Sequence, residues 1–169
     1  MDLAIDGTGF FQVQRPDGEI AYTRAGNFRV DSEGRMVTAN GDLVFPQVNL
    51  PADTKHVMIN RNGGILVERP NSTTHEEVGQ IELAMFVNPG GLESIGGNVL
   101  TQTDASGPPI RSLPTNDEAG GVVQGFLEAS NVEAIEEMIG MISAQRAYEM
   151  SSKVISSADQ MLQKLGNLR

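Results

Sequence analysis

Cysteine and tryptophan are absent from this chain of 169 residues, and only two histidines occur, His56 and His75. Without cysteine there is no disulfide and no thiolate metal site, and redox chemistry says nothing about compartment. Positive charge is scarce. Twelve Lys and Arg stand against twenty-two Asp and Glu, for a net charge of −10. That balance argues against nucleic acid, whose binding is driven by neutralising phosphates, and against an anionic membrane surface. No run of about 18 apolar residues is present, so no segment reads as a membrane-spanning helix. The start, Met1-Asp2-Leu3-Ala4-Ile5-Asp6, has neither a basic region nor a long apolar core. No cleavable signal peptide is visible there, which leaves signal-independent export routes open.

Glycine and proline divide what is present. All eight prolines fall at or before Pro114, and seventeen of nineteen glycines lie before residue 129. The first region reads as hairpins. Phe10-Phe11-Gln12-Val13 and Ile20-Ala21-Tyr22-Thr23 flank the turn signal Pro16-Asp17-Gly18. Phe28-Arg29-Val30 and Met36-Val37-Thr38 flank Asp31-Ser32-Glu33-Gly34, and Asn40-Gly41 turns into Leu43-Val44-Phe45. Val57 and Ile59 precede Asn62-Gly63-Gly64, after which Ile65-Leu66-Val67 returns. Ile81, Leu83, Met85 and Val87 alternate with their neighbours and predict one continuous strand. Leu92 to Ile95 is read as one helical turn, residues 101–121 as a long loop, and Val122 to Leu127 as a last strand leading straight into a helix.

That helix is the most informative element. From Val132 the apolar positions run Val132, Ile135, Ile139, Ile142, Met150, Val154, Ala158, Met161, Leu165 and Leu168, spaced by three or four except across Arg146. The pattern is close to a heptad seam. Ser130-Asn131-Val132-Glu133 in front of it is a capping-box pattern. Acids Glu133, Glu136 and Glu137 sit early and Lys164 and Arg169 late, the order that suits the helix dipole, and Glu149 and Lys153 form an i,i+4 pair. A helix over residues 131–168 would be roughly 57 Å long at 1.5 Å per residue, against a radius of gyration of about 15 Å for a compact chain of this length. The expected architecture is therefore mainly β with a long C-terminal α-helix: a β-rich domain of hairpins over residues 1–128 and a projecting, coiled-coil-type assembly helix over 129–169. The first three turns of the helix are expected to pack on the β region. The remainder would expose on the order of 400 Å² of apolar surface, the size at which a patch marks an interface. Gly140 and the serine pairs Ser151-Ser152 and Ser156-Ser157 lower intrinsic helicity, so the distal part is expected to fray until assembly orders it.

Chemistry is hard to find. The two histidines are nineteen apart, without a metal-ligand spacing, and read as exposed loop residues. Asp31-Ser32-Glu33-Gly34 lacks the ligand pattern of a calcium loop. Gly7-Thr8-Gly9 is followed by two phenylalanines and not by lysine and a helix, so it reads as a tight bend or bulge and not as a phosphate loop. Asp2 and Asp6 lack a third polar partner and read as solvated turn acids. No catalytic, cofactor-binding or metal residues are assigned, and an enzyme is not expected.

Several stretches carry a family resemblance. Asp2-Leu3-Ala4-Ile5-Asp6-Gly7-Thr8-Gly9-Phe10-Phe11-Gln12-Val13 and Tyr22-Thr23-Arg24-Ala25-Gly26-Asn27-Phe28 resemble the core signature of bacterial flagellar rod and hook proteins. So do Gln124-Gly125-Phe126-Leu127-Glu128-Ala129-Ser130-Asn131-Val132, Glu136-Glu137-Met138-Ile139, and Ile142-Ser143-Ala144-Gln145-Arg146-Ala147-Tyr148-Glu149. Lys153-Val154-Ile155 and Ala158-Asp159-Gln160-Met161-Leu162 complete the pattern, and the likeness is greatest to the distal-rod members. The resemblance implies a structural subunit that stacks helically into the hollow drive shaft of the basal body. Terminal helices would form a coiled-coil inner tube and the β domain a surrounding layer. It implies type III export without a cleaved signal, a periplasm-spanning location, and self, proximal rod, hook and ring proteins as partners. Members of the family begin with a further N-terminal helix. Met1 aligns near the start of their β domain, so the expectation is a chain lacking that helix, either a truncated one or a degenerate paralogue.

On this reading the assembly interface comprises Val132, Ile135, Ile139, Ile142, Met150, Val154, Ala158, Met161 and Leu165, with Arg146 and Tyr148 making lateral polar or stacking contacts. Three alternatives stay open from the residues: a proximal-rod or hook paralogue, a soluble β-rich binding module that dimerises through its helix, and an enzyme acting on cell-wall polymer.

Overall fold

The computed structural model describes all residues except 71–74, 117–118, 132–133 and 167–169. The chain divides into two compact units, Met1–Glu128 and Ala129–Arg169. The first consists of strands β1 (Leu3–Asp6), β2 (Phe10–Gln14), β3 (Ile20–Thr23), β4 (Arg29–Val30), β5 (Met36–Val37), β6 (Leu43–Phe45), β7 (His56–Ile59), β8 (Gly64–Glu68), β9 (Glu76–Gln80), β10 (Leu83–Met85), β11 (Glu93–Gly96), β12 (Val99–Thr101), β13 (Ile110–Ser112) and β14 (Gly121–Gln124). The second contains α1 (Ala134–Gly166). The class is mainly β with one long C-terminal helix, as the sequence predicts.

β2 is the hub of a nine-stranded antiparallel sheet. One of its edges pairs with β3, and the other is shared, Phe10 and Phe11 with β10 and Gln12 to Gln14 with β6. Side chains cover both faces of β2. Phe11 and Val13 enter the main core with Leu3, Phe28, Ile65 and Leu83, where Phe11 meets Phe28 edge to face at 5.1 Å. Phe10 points to a second cluster around Tyr22, Ala84 and Phe86, in which Tyr22 and Phe86 rings lie 4.8 Å apart. Burial raises the Tyr22 phenol above its ordinary pKa, and the nearby Arg111 charge partly offsets this. A three-stranded sheet, β7-β8-β9, and the two-stranded pair β1-β14 complete the unit.

The predicted hairpins around residues 16–18, 31–34, 40–41 and 62–64 are present. At 31–34 the turn is closed by the Asp31 carboxylate, which accepts from the Glu33 and Arg35 amides at 2.8 and 2.9 Å and pairs with the Arg35 guanidinium. The backbone hydrogen bond from Arg35 is the chief reason that Asp31 is held below the ordinary carboxylate pKa.

Four local expectations are corrected. The single strand expected through Val87 is two elements. Ile81 donates at 2.9 Å to Gly63 O in the turn between β7 and β8, the chain crosses over, and β10 joins the larger sheet. Because β10 is covered on both faces, Leu83, Ala84 and Phe86 are buried while Val87 is exposed, which is not the alternation read from the sequence. The helical turn expected from Leu92 to Ile95 is instead strand β11, preceded by a 3₁₀ turn at Pro89–Gly91. Gly97 and Asn98, both at φ +62°, form the mirror-image turn that two-residue hairpins favour and fold β11 onto β12. The long loop 101–121 contains β13, which pairs with β10. The last strand stops at Gln124, because Gly125 takes φ +84° and donates its N–H to Asp2 O, and residues 126–131 have no regular structure.

Candidate assembly surface

α1 is 33 residues long, or about 50 Å at 1.5 Å per residue. It runs without a break through Gly140 and both serine pairs. Ser151 Oγ donates to Ala147 O at 2.9 Å, a local bond that lets serine sit inside a helix. Val132 and Glu133 of the predicted capping box lie outside the described residues. Glu149 accepts from Gln145 Nε2 at 3.3 Å.

Ile135, Ile139, Ile142, Arg146, Tyr148, Met150, Val154, Ala158 and Met161 are all exposed, the apolar ones among them Ile142 at 48 % and Ile135 at 71 %. Val132 is outside the described residues, and Leu165 is placed by its backbone alone. The β unit closes its own core with its own strands. Met138, Met141 and Ile155 are exposed as well, and the sequence reading passed over them because they fall off the single seam.

Their positions change the shape of the apolar surface. At 100° per residue, Ile135, Met138, Ile139, Met141 and Ile142 cluster on one side, while Met150, Val154, Ala158 and Met161 cluster about 120° further round. Arg146, Tyr148 and Glu149 lie at the changeover. Counted from Val132 to Leu168, the stripe repeats about every 3.6 residues, the period of a straight helix, and not every 3.5 as in a left-handed supercoil.

In the β unit several polar side chains hold strands and turns together. Asp6 ends β1 and is bound to Arg61 at 2.6 Å, so it is a strand residue and not a turn acid. His56 sits on β7, an exposed strand position and not a loop, while His75 is exposed just before β9. Gly7 and Gly9 take φ +124° and +123°, and a Cβ on Gly7 would stand 2.8 Å from Gly120 Cα, so the bend between β1 and β2 requires glycine. Phe126 and Leu127 stand 65 % and 53 % exposed beside an open groove shared with Ala4, Ile5 and Val123. The signal for them was Gly125, which removes them from the strand the sequence predicted.

Gln124 is a second residue that the sequence did not single out. Its Oε1 accepts from Ile59 N–H at 2.9 Å and its Nε2 donates to Val57 O at 3.0 Å. A side-chain amide here stands in for a strand backbone and joins β14 to β7. Gln124→Met should leave both backbone groups without that partner at a cost of about 1–3 kcal/mol. Urea denaturation and faster Ile59 amide exchange are the measurements; unaltered Ile59 exchange would show the bridge to be unimportant.

A strand-rich unit joined to a long helix with its apolar side chains in the open has the build of an assembling structural protein. Residues 4–67 match the model of the flagellar hook protein FlgE/F/G D1 domain, and residues 123–168 that of the flagellar basal body rod FlgEFG protein C-terminal region. The flagellar basal-body rod protein FlgG of Buchnera aphidicola subsp. Baizongia pistaciae is 50 % identical over 167 residues, covering 99 % of this chain and 64 % of that protein. FlgG of Caulobacter vibrioides is 46 % identical, covering all of this chain and 64 % of the relative. The flagellar hook protein FlgE of the same species is 37 % identical over 80 % of this chain and 24 % of its own length. The chain belongs to the flagellar basal-body rod protein FlgG family, a family of structural and not enzymatic proteins. It spans just under two thirds of the length of these rod relatives.

Proposed function

We propose that this protein serves as a structural subunit of the flagellar basal-body rod, in its distal part, and that α1 is the element through which subunits assemble. The observation that carries the reading is the 33-residue helix with exposed apolar side chains along its length, in a chain whose rod relatives match it almost end to end. The same reading makes Val132, Ile135, Ile139, Ile142, Met150, Val154, Ala158, Met161 and Leu165 the buried contacts of the polymer, with Arg146 and Tyr148 lateral to them. Two apolar clusters about 120° apart suit contact with two different neighbouring helices. Proximal rod, hook and ring proteins would be its other partners, reached by export without a cleaved signal and by assembly across the periplasm. The greater identity to rod proteins, over more of the chain than to the hook protein, favours rod over hook.

Because the chain has no cysteine, Met150→Cys and Met161→Cys introduce unique thiols. In assembled basal bodies of a strain carrying both substitutions, a thiol cross-linker should join neighbouring subunits into ladders. Assembled rods that yield only monomer under the same treatment would remove α1 from the interface.

A further inference from the structure

Arg24 immediately follows β3, and its guanidinium is almost wholly engaged. Nη1 donates to Gly9 O at 2.8 Å and Gly7 O at 3.1 Å, Nη2 to Ile5 O at 3.3 Å, and Nε to the Glu128 carboxylate at 2.7 Å. Its central carbon lies 5.9 Å from the Phe10 ring centroid. Three of these acceptors are carbonyls around the β1–β2 bend, whose two glycines take left-handed φ values. The fourth lies 104 residues away in sequence and is the last residue of the β unit. Between the end of β14 and Glu128 the chain turns off at Gly125 and carries Phe126 and Leu127 into the open.

We infer that Arg24 is a positioning residue for assembly: it ties the point at which the chain leaves the β unit to the β1–β2 bend, so that the segment leading to the helix starts from a fixed place and not from a free swivel at Gly125. The chemistry calls for arginine. A planar fork with five donors serves a carboxylate and three carbonyls at once, whereas a lysine ammonium has three donors radiating from one point. The ion pair is partly solvated, with the two side chains 29 % and 41 % exposed, so its strength should fall with salt. The tether stands on these contacts alone; its consequence for assembly rests on the rod reading.

Glu128→Gln tests it in the whole chain, since it removes the charge and keeps the side chain's size. At low salt, backbone amide order parameters from Phe126 to Ala129 should fall below about 0.6, the range of flexible chain, while those of β8 and the melting temperature stay as they are. In the unsubstituted chain the same order parameters should fall with added salt, and in the variant they should not. A merely structural surface residue would not produce that salt dependence. Arg24→Lys should reproduce the loss of order despite its positive charge. In cells, both variants should show reduced motility. Unchanged order parameters at 126–129 in Glu128→Gln overturn the tether; their loss with full motility overturns its role in positioning. The rod reading itself is tested separately by the cross-links at Met150 and Met161, which do not depend on Arg24.

Discussion

Gly26→Ala is expected to destabilise the β unit by about 3–5 kcal/mol, a large part of the 5–15 kcal/mol typical of a domain. A Cβ at this position would lie 1.8 Å from Leu3 O and 2.7 Å from the carbonyl carbon. Both atoms are backbone, so no rotamer relieves the clash. Leu3 has no room to retreat. Its side chain is fully buried, its N–H donates to Gly26 O at 3.0 Å, and its strand is held in register with β14, Leu3 facing Gln124. Phe28 N–H also donates to Gly26 O at 3.0 Å, so the neighbouring core residue would move with it. Gly41→Ala is the control. Gly41 has φ +94° but nothing within 4 Å of an added Cβ, so only the backbone penalty of about 1–2 kcal/mol applies. Urea unfolding of the two variants separates close packing from conformational strain. Equal, small losses would show that β1 yields more easily than its contacts indicate.

The second large effect is on assembly and leaves the folded chain intact. Ile142→Asp and Val154→Asp should each abolish rod formation while changing the stability of the isolated chain by less than about 1 kcal/mol. Both side chains are exposed, 48 % and 68 %, so a carboxylate there costs the free chain little beyond helix propensity, about 0.5 kcal/mol. In a packed interface the same carboxylate has no partner and its burial costs several kcal/mol at every subunit contact. A polymer repeats that penalty along its length, so the loss should be all-or-none. Ser152→Asp, about 160° round the helix from Val154 and so facing away from the Met150–Met161 cluster, is the control for Val154→Asp and should assemble normally. Motility and electron microscopy of basal bodies are the readouts, alongside thermal unfolding of the purified chain. Rods of normal length in both apolar-face variants would count decisively against the assembly helix. A defect in one variant alone would assign the polymer contact to one of the two clusters.

What was legible in the sequence was what neighbouring residues decide among themselves. Pro16-Asp17-Gly18 and Asn62-Gly63-Gly64 make turns because their own backbone preferences bend the chain, and the strands on either side then pair without help. The change of composition near residue 128, where glycine and proline nearly stop, is equally a local property. The two-residue turn at Gly97-Asn98 belongs to this local class too, and its hairpin escaped reading because the run of residues before it, Leu92-Glu93-Ser94-Ile95, has a composition that suits helix as well as strand.

Other features were settled by distance in the chain. Ile81, Leu83, Met85 and Val87 alternate in sequence, yet the crossing at Ile81 and the packing of β10 on both faces decide which of them are buried. A period of two reports a strand with one wet face, and fails when a second layer covers the other. β1 pairs with β14, Gln124 bridges to β7 and Arg24 reaches Glu128, each joining residues from opposite ends of the unit. Periodicity along the helix was enough to tell that α1 would form and carry an apolar surface, since 3.6-residue spacing is a local property. Which strands share an edge, and which arginine holds the chain's exit, came only with the folded unit, because those contacts join residues that neither propensity nor spacing relates.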